Sequence, residues 1–223
     1  MMNDLHKAMM HIAIDLARKA EGMTSPNPLV GAVVVKKTQI VGEGYHHKAG
    51  TAHAEVNALN DAGSKAAGAD IYVTLEPCST TGRTPPCTEA IINAGIKRVF
   101  IGSLDPNPAH AGRAVDILRK AGIEVATGIE TALCDSLNEA FCKWITTGKP
   151  LVVLKLAVTL DGRIACANGQ SQWITGPEAR GRVQRLRKPL ARNWLPPLEH
   201  VQLILKQLET QLRNAEVAHP IQF

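Results

Sequence analysis

Between residues 29 and 147 short β-branched runs alternate with longer segments of helical period, and this restricts the chain to an α/β sheet carrying helices on both faces. The runs lie at 29–35, 39–45, 70–75, 98–102 and 123–127. A polar break separates the first two, which predicts a hairpin. Helical spacing predicts helices over 53–67, 87–94, 112–121 and 131–147. Before them, Leu5, Met9, Ile12, Leu16 and Ala20 form one apolar stripe, predicting an amphipathic first helix over 4–20. Pro85-Pro86 suits a helix start, and the turn-forming Gly148-Lys149-Pro150 closes this first unit.

Composition narrows the class. A chain of 223 residues with 45% apolar content can bury a core, which excludes a disordered chain, a collagen repeat and a disulfide miniprotein. No apolar run is long enough to span a bilayer. Asp4, Asp15, Arg18 and Lys19 interrupt the N-terminal region, so no export signal is expected there. Five cysteines, an odd number, then read as reduced thiols or metal ligands. Together these features predict a soluble, cytoplasmic protein. Cys134, Cys142 and Cys166 have no ligand-like spacing and are expected to be buried thiols.

The last part of the chain differs in character. Residues 151–160 predict an apolar strand, Asp161-Gly162 a hairpin turn, and an arginine-rich helix should start near Pro177. From residue 176 onward there are eight basic and four acidic side chains, although the whole chain carries only +5. All 18 glycines lie at or before Gly181. Leu198, Val201, Leu205, Leu208, Leu212 and Ala215 alternate steps of three and four, predicting an amphipathic helix in the tail. The basic stretch 180–192 reads as a solvated helix face. With only Trp194 nearby, it argues against nucleic-acid binding.

The feature richest in chemistry is His53-Ala54-Glu55, followed by Glu76-Pro77-Cys78 and then Cys87. One imidazole and two thiolates suit zinc and leave its fourth tetrahedral position for water, the arrangement of a catalytic site. Zinc lowers the pKa of such a water to about 7. Glu55 stands too close to His53 to ligate the same metal, but it can face the water and carry its proton to a ring nitrogen and a leaving amine. His53 and Cys87 both fall at predicted helix starts, where a thiolate is favoured. The order matches the His-x-Glu…Pro-Cys-x-x-Cys signature of zinc nucleobase deaminases, with eight residues between the cysteines instead of two. Four residue types in this order on these elements outweigh a reading as ordinary core positions.

The insert Ser79-Thr80-Thr81-Gly82-Arg83-Thr84-Pro85-Pro86 resembles that of the bifunctional deaminase/reductase family of riboflavin biosynthesis. So do Asn27-Pro28-Leu29-Val30-Gly31-Ala32, Asp105-Pro106-Asn107-Pro108, Leu154-Lys155-Leu156-Ala157, Leu160-Asp161-Gly162-Arg163-Ile164 and Ser171-Gln172-Trp173-Ile174-Thr175. The resemblance implies a zinc-dependent deaminase domain over 1–148, built as a cytidine-deaminase-like three-layer sandwich with a mixed sheet. The opening of a dihydrofolate-reductase-like domain would follow over 149–187, and a divergent helical tail over 188–223.

It also implies a small-molecule substrate, 2,5-diamino-6-ribosylamino-4(3H)-pyrimidinone 5′-phosphate, from which the first domain releases ammonia. Carried over by position, His53, Cys78 and Cys87 would hold Zn2+, with Glu55 as catalytic proton shuttle. Asn27 and His46 would line the substrate pocket, while Arg83, Asp105 and Asn107 would contact the ribosyl phosphate. In the second domain Ala157 and Trp173 would touch NADPH, and Ser171 and Arg187 the substrate of the reduction. Two departures stand out. Thr80-Thr81 replaces an aromatic pair of the family, and Lys188-Pro189-Leu190 with no following glycine replaces a buried strand and glycine-rich turns. Without such turns a dinucleotide is not cradled closely, so the reduction is expected to be lost by truncation or a shifted frame. An exposed half-domain favours a homo-oligomer over a monomer. Two other readings stay open at this point: a zinc deaminase of cytosine or of a tRNA adenine, and an inactive fragment.

Overall fold

The structure, a computed structural model, describes residues 4–81, 85–108, 110–153, 157–163 and 165–191. Helix α1 (Asp4–Arg18) precedes a hairpin of β1 (Gly31–Lys36) and β2 (Gln39–Tyr45). Then come α2 (Ala54–Ala62), β3 (Asp70–Leu75), α3 (Cys87–Asn93), β4 (Arg98–Ser103), α4 (Arg113–Lys120) and β5 (Glu124–Thr127). Helices α5 (Thr131–Leu137), α6 (Glu139–Thr147) and α7 (Pro177–Ala191) complete the described elements.

The five strands form one sheet in the order β2-β1-β3-β4-β5. β1 runs antiparallel to β2 and β3, whereas β3, β4 and β5 are parallel, so the sheet is mixed as expected. Alternating side chains send two cores to opposite faces. Val34, Ile71, Val73, Val99 and Ile101 pack with Ala58, Ile91 and Leu118 on the face of α2, α3 and α4. Val33, Val35, Tyr72 and Phe100 pack with Met10, Ala13, Ile14 and Cys134 on the face of α1 and α5. This is the three-layer arrangement anticipated from the alternation of runs.

Close packing of α2 on the hairpin depends on glycine. A Cβ on Gly44 would stand 2.3 Å from the Ala58 nitrogen and 2.4 Å from the Ala54 oxygen; one on Gly42 would stand 2.3 Å from the Ala58 oxygen. Ala54, Ala58 and Ala62, one turn apart, form the complementary stripe on α2. Small residues on both partners thus bring the start of α2 against the sheet.

Three expectations need correction. The helix expected over 131–147 is two helices, because Asn138 at their junction has φ −122° and ψ 23°. Its buried amide bonds Leu29 instead: Leu29 N–H donates to Oδ1 at 2.7 Å and Nδ2 donates to the Leu29 carbonyl at 2.8 Å. The strand expected over 151–160 is not formed at 151–153 or 157–159. The described sheet ends at β2 and β5, so these residues have no ladder to join, and Val152 and Val153 are exposed. Among the described residues of this stretch the turn is formed: Thr159 N–H donates to the Arg163 carbonyl at 2.9 Å and Gly162 takes φ +79°. Finally, only Cys134 of the three unassigned cysteines is buried; Cys142 is half-buried and Cys166, in a loop outside the core, is exposed. No helix among the described residues is long and apolar enough to cross a membrane. The leucine stripe at 198–215 lies outside the described residues.

Candidate metal centre and substrate pocket

The parallel strands deliver chemistry at their carboxyl ends, where α/β sheets commonly bind ligands. Cys78 follows β3 by three residues, Asp105 follows β4 by two, and His53 caps α2. Cys87 opens α3, which the fixed φ of Pro86 leads into the helix. His53 Nδ1 lies 3.2 Å from Cys87 Sγ and 3.5 Å from Cys78 Sγ, and the three donor atoms lie within 4.8 Å of one another. Among the described residues this is the one His/Cys/Asp/Glu group close enough to share an ion. One nitrogen and two sulfurs in a tight triangle fit zinc and leave a fourth position open toward the cavity.

The electrostatics are those of a thiolate pocket. The contact with the Cys87 thiol pulls Cys78 well below its ordinary range. A second donor is the Cys87 N–H, 3.2 Å from Cys78 Sγ, one of the groups a helix start leaves unpaired. The same sulfur contact, with burial, pushes Cys87 up, and contact with Cys78 raises His53. Burial lifts the Glu55 carboxyl to about 7; it is 3% exposed and faces the same space.

A cavity of about 190 Å³ opens over these groups, lined by Asn27, His46, His53, Glu55, Cys78 and Asp105 together with Pro28, Val30, Leu75, Glu76 and Phe141. Asn27 Nδ2 donates to His46 Nε2 at 3.0 Å, and His46 Nδ1 donates to the Ala52 carbonyl at 3.1 Å. These two partners fix the neutral tautomer of His46, whose pKa burial lowers. Asn107 lies on the Asp105 loop, its N–H donating to Asp105 Oδ1 at 2.9 Å, but does not line the cavity. Arg83 lies outside the described residues.

Ala157, Ser171 and Trp173 line neither this cavity nor its neighbour. Ser171 and Trp173 are exposed, with the Arg180 guanidinium 4.1 Å over the Trp173 ring, and Arg187 falls within α7. Sequence reasoning assigned no role to Glu76 or Phe141. Glu76 stood inside a quoted motif, whereas Phe141, carried by α6, lines the cavity with no motif to mark it.

Fold and donor set together have the form of a deaminase zinc-binding region. Residues 3–103 match the family model of the cytidine and deoxycytidylate deaminase zinc-binding region, and residues 150–191 match that of the RibD C-terminal domain. The chain is 54% identical over 188 residues to the riboflavin biosynthesis protein RibD of Aquifex aeolicus, across 84% of this chain and 53% of the relative. Against RibD of Bacillus amyloliquefaciens it is 57% identical over 179 residues, across 80% of this chain and 48% of the relative. The solved structure of Acinetobacter baumannii RibD superposes with a TM-score of 0.80 at 52% identity, over 83% of this chain and 52% of that one. Over about four fifths of its length the chain is thus similar to RibD proteins, and it spans about half the length of the curated relatives it matches.

Proposed function

We propose that this chain hydrolyses the 2-amino group of 2,5-diamino-6-ribosylamino-4(3H)-pyrimidinone 5′-phosphate, exchanging a C–NH2 bond for C=O with water consumed and ammonia released. The observation that carries the reading is one cavity lined by two of the three donors, His53 and Cys78, together with Glu55, Asn27 and His46, with Cys87 buried behind it. A homologous structure from Thermotoga maritima, 45% identical, is named a diaminohydroxyphosphoribosylaminopyrimidine deaminase/5-amino-6-(5-phosphoribosylamino)uracil reductase, which supports the choice of substrate.

His53, Cys78 and Cys87 would hold zinc, which when bound supplies Lewis acidity that activates water at neutral pH. Glu55, enclosed beside them, takes one proton of the attacking water and passes it to the ring nitrogen. It then takes the second from the hydroxyl left on the carbon and passes it to the departing amine, so that the carbonyl forms as ammonia leaves. Asn27 and the neutral His46, which line the same cavity, orient the base. Asp105 and Asn107, on the loop after β4, would contact the ribosyl phosphate portion, with Arg83 as the natural phosphate partner. Residues 149–187 form the opening of the reductase unit, in which Ala157, Trp173, Ser171 and Arg187 would meet NADPH and the second substrate. Beyond Gly181 this sequence offers no glycine to admit the phosphates of a dinucleotide, and the reading is confined to the deamination.

The test is ammonia release by the zinc-loaded chain from this substrate, cytidine and a tRNA anticodon stem-loop in parallel. Release confined to the diaminopyrimidinone phosphate is expected. Equal or faster release from either alternative would overturn the assignment.

A further inference from the structure

Glu76 is 6% exposed, borders the cavity and stands between β3 and Cys78. Its carboxylate does not point at the metal donors' triangle. Oε2 accepts the N–H of Asp105 at 3.1 Å and that of Gly112 at 2.9 Å, and Oε1 accepts the N–H of Ala114 at 2.9 Å. Its own N–H donates to the Ser103 carbonyl at 2.8 Å, fixing it beside the end of β4.

The pattern has a specific consequence for the loop between β4 and α4. Asp105 is the start of that loop, Gly112 its end, and Ala114 belongs to the first turn of α4. Gly112, the residue before α4, gives that helix no side-chain cap, and Glu76 accepts two of the N–H groups at its start, those of Gly112 and Ala114, from the segment that follows β3. Between the clamped ends the loop closes on itself: Asn107 N–H donates to Asp105 Oδ1, and His110 and Ala111 N–H donate to the Asn107 carbonyl. One buried carboxylate therefore gathers both ends of the segment that carries Asp105 and Asn107.

We propose that Glu76 is a positioning residue that sets the Asp105 loop over the cavity and thereby governs binding of the substrate's ribosyl phosphate end. The placement of that end rests on the function proposed above. Because Glu76 acts through backbone N–H groups, its substitution should act on binding more than on the chemical step.

Glu76→Gln keeps the shape but turns an amide NH2 toward at least one backbone N–H, donor against donor. In the zinc-loaded full chain, amide hydrogen exchange over residues 104–114 is expected to quicken about tenfold or more, with zinc content unchanged. KM for the diaminopyrimidinone phosphate should rise about tenfold while kcat stays within about threefold. Glu76→Ala should exaggerate both effects; if it does not fold, the Gln variant decides alone. Unchanged exchange over 104–114 overturns the proposal, and so does a fall in kcat with KM unchanged or a loss of zinc. If the parent chain releases no ammonia from this substrate, the substrate reading fails. The exchange comparison then still decides whether Glu76 holds the loop.

Discussion

Replacing Asn138 by alanine removes the two hydrogen bonds that tie the junction of α5 and α6 to Leu29, at 2.7 and 2.8 Å. The Leu29 N–H and C=O are half-buried and would be left without these partners. An orphaned backbone group costs about 1–3 kcal/mol, and taking the low end for each of the two half-buried groups gives about 2 kcal/mol. Asn138 stands at a non-helical junction, so alanine returns no helix propensity there and the net loss stays about 2 kcal/mol. For a domain of this size that corresponds to a fall in Tm of about 4–8 °C. Urea unfolding of parent and variant at one fixed free zinc concentration reads the difference, because bound metal otherwise adds its own stabilisation. A loss below about 0.5 kcal/mol would refute the reasoning, since the two bonds would then be replaced by water at no cost.

Three further outcomes are expected. Gly44→Ala forces a Cβ within 2.4 Å of α2 backbone atoms and should cost about 1–3 kcal/mol while lowering zinc content, measured by unfolding and metal analysis; unchanged values would show that α2 moves freely. Burial beside Asp70 lifts the Tyr72 hydroxyl to about 12, against about 10 in an unfolded chain. Its folded pKa is raised, so the stability it contributes is intact below about pH 10 and drains away as pH climbs toward 12. Tyr72→Phe should flatten that alkaline decline in a pH series of unfolding midpoints. Chelating zinc should lower Tm and make Cys78 reactive toward a thiol reagent, whereas zinc-loaded protein should show reactivity mainly at the exposed Cys166.

The sheet and its helices were legible in the sequence because both signals are local. Val33, Val34 and Val35 mark a buried strand whatever surrounds them, and the period of α1 shows its apolar face. The zinc donors were legible for a different reason, since spacing on helix starts and strand ends restricts where they can meet. What escaped was set by tertiary pairing. Asn138 sits in a run of good helical period and breaks it because its amide finds Leu29, a residue 109 positions away. Residues 151–153 have the composition of a strand, but a strand requires a neighbour, and the described sheet offers none there. Glu76 looked like one letter of a motif; that it gathers three N–H groups depends on the return of the chain after β4.

The central claim is that Glu55 moves the protons of a deamination in the cavity beside His53, Cys78 and Cys87. Its most direct test compares ammonia release from the diaminopyrimidinone ribosyl phosphate by the parent chain and by Glu55→Gln, both carrying one zinc. The account predicts a fall in kcat of about a hundredfold or more with zinc content unaltered. A variant that releases ammonia at the parent's rate would contradict it.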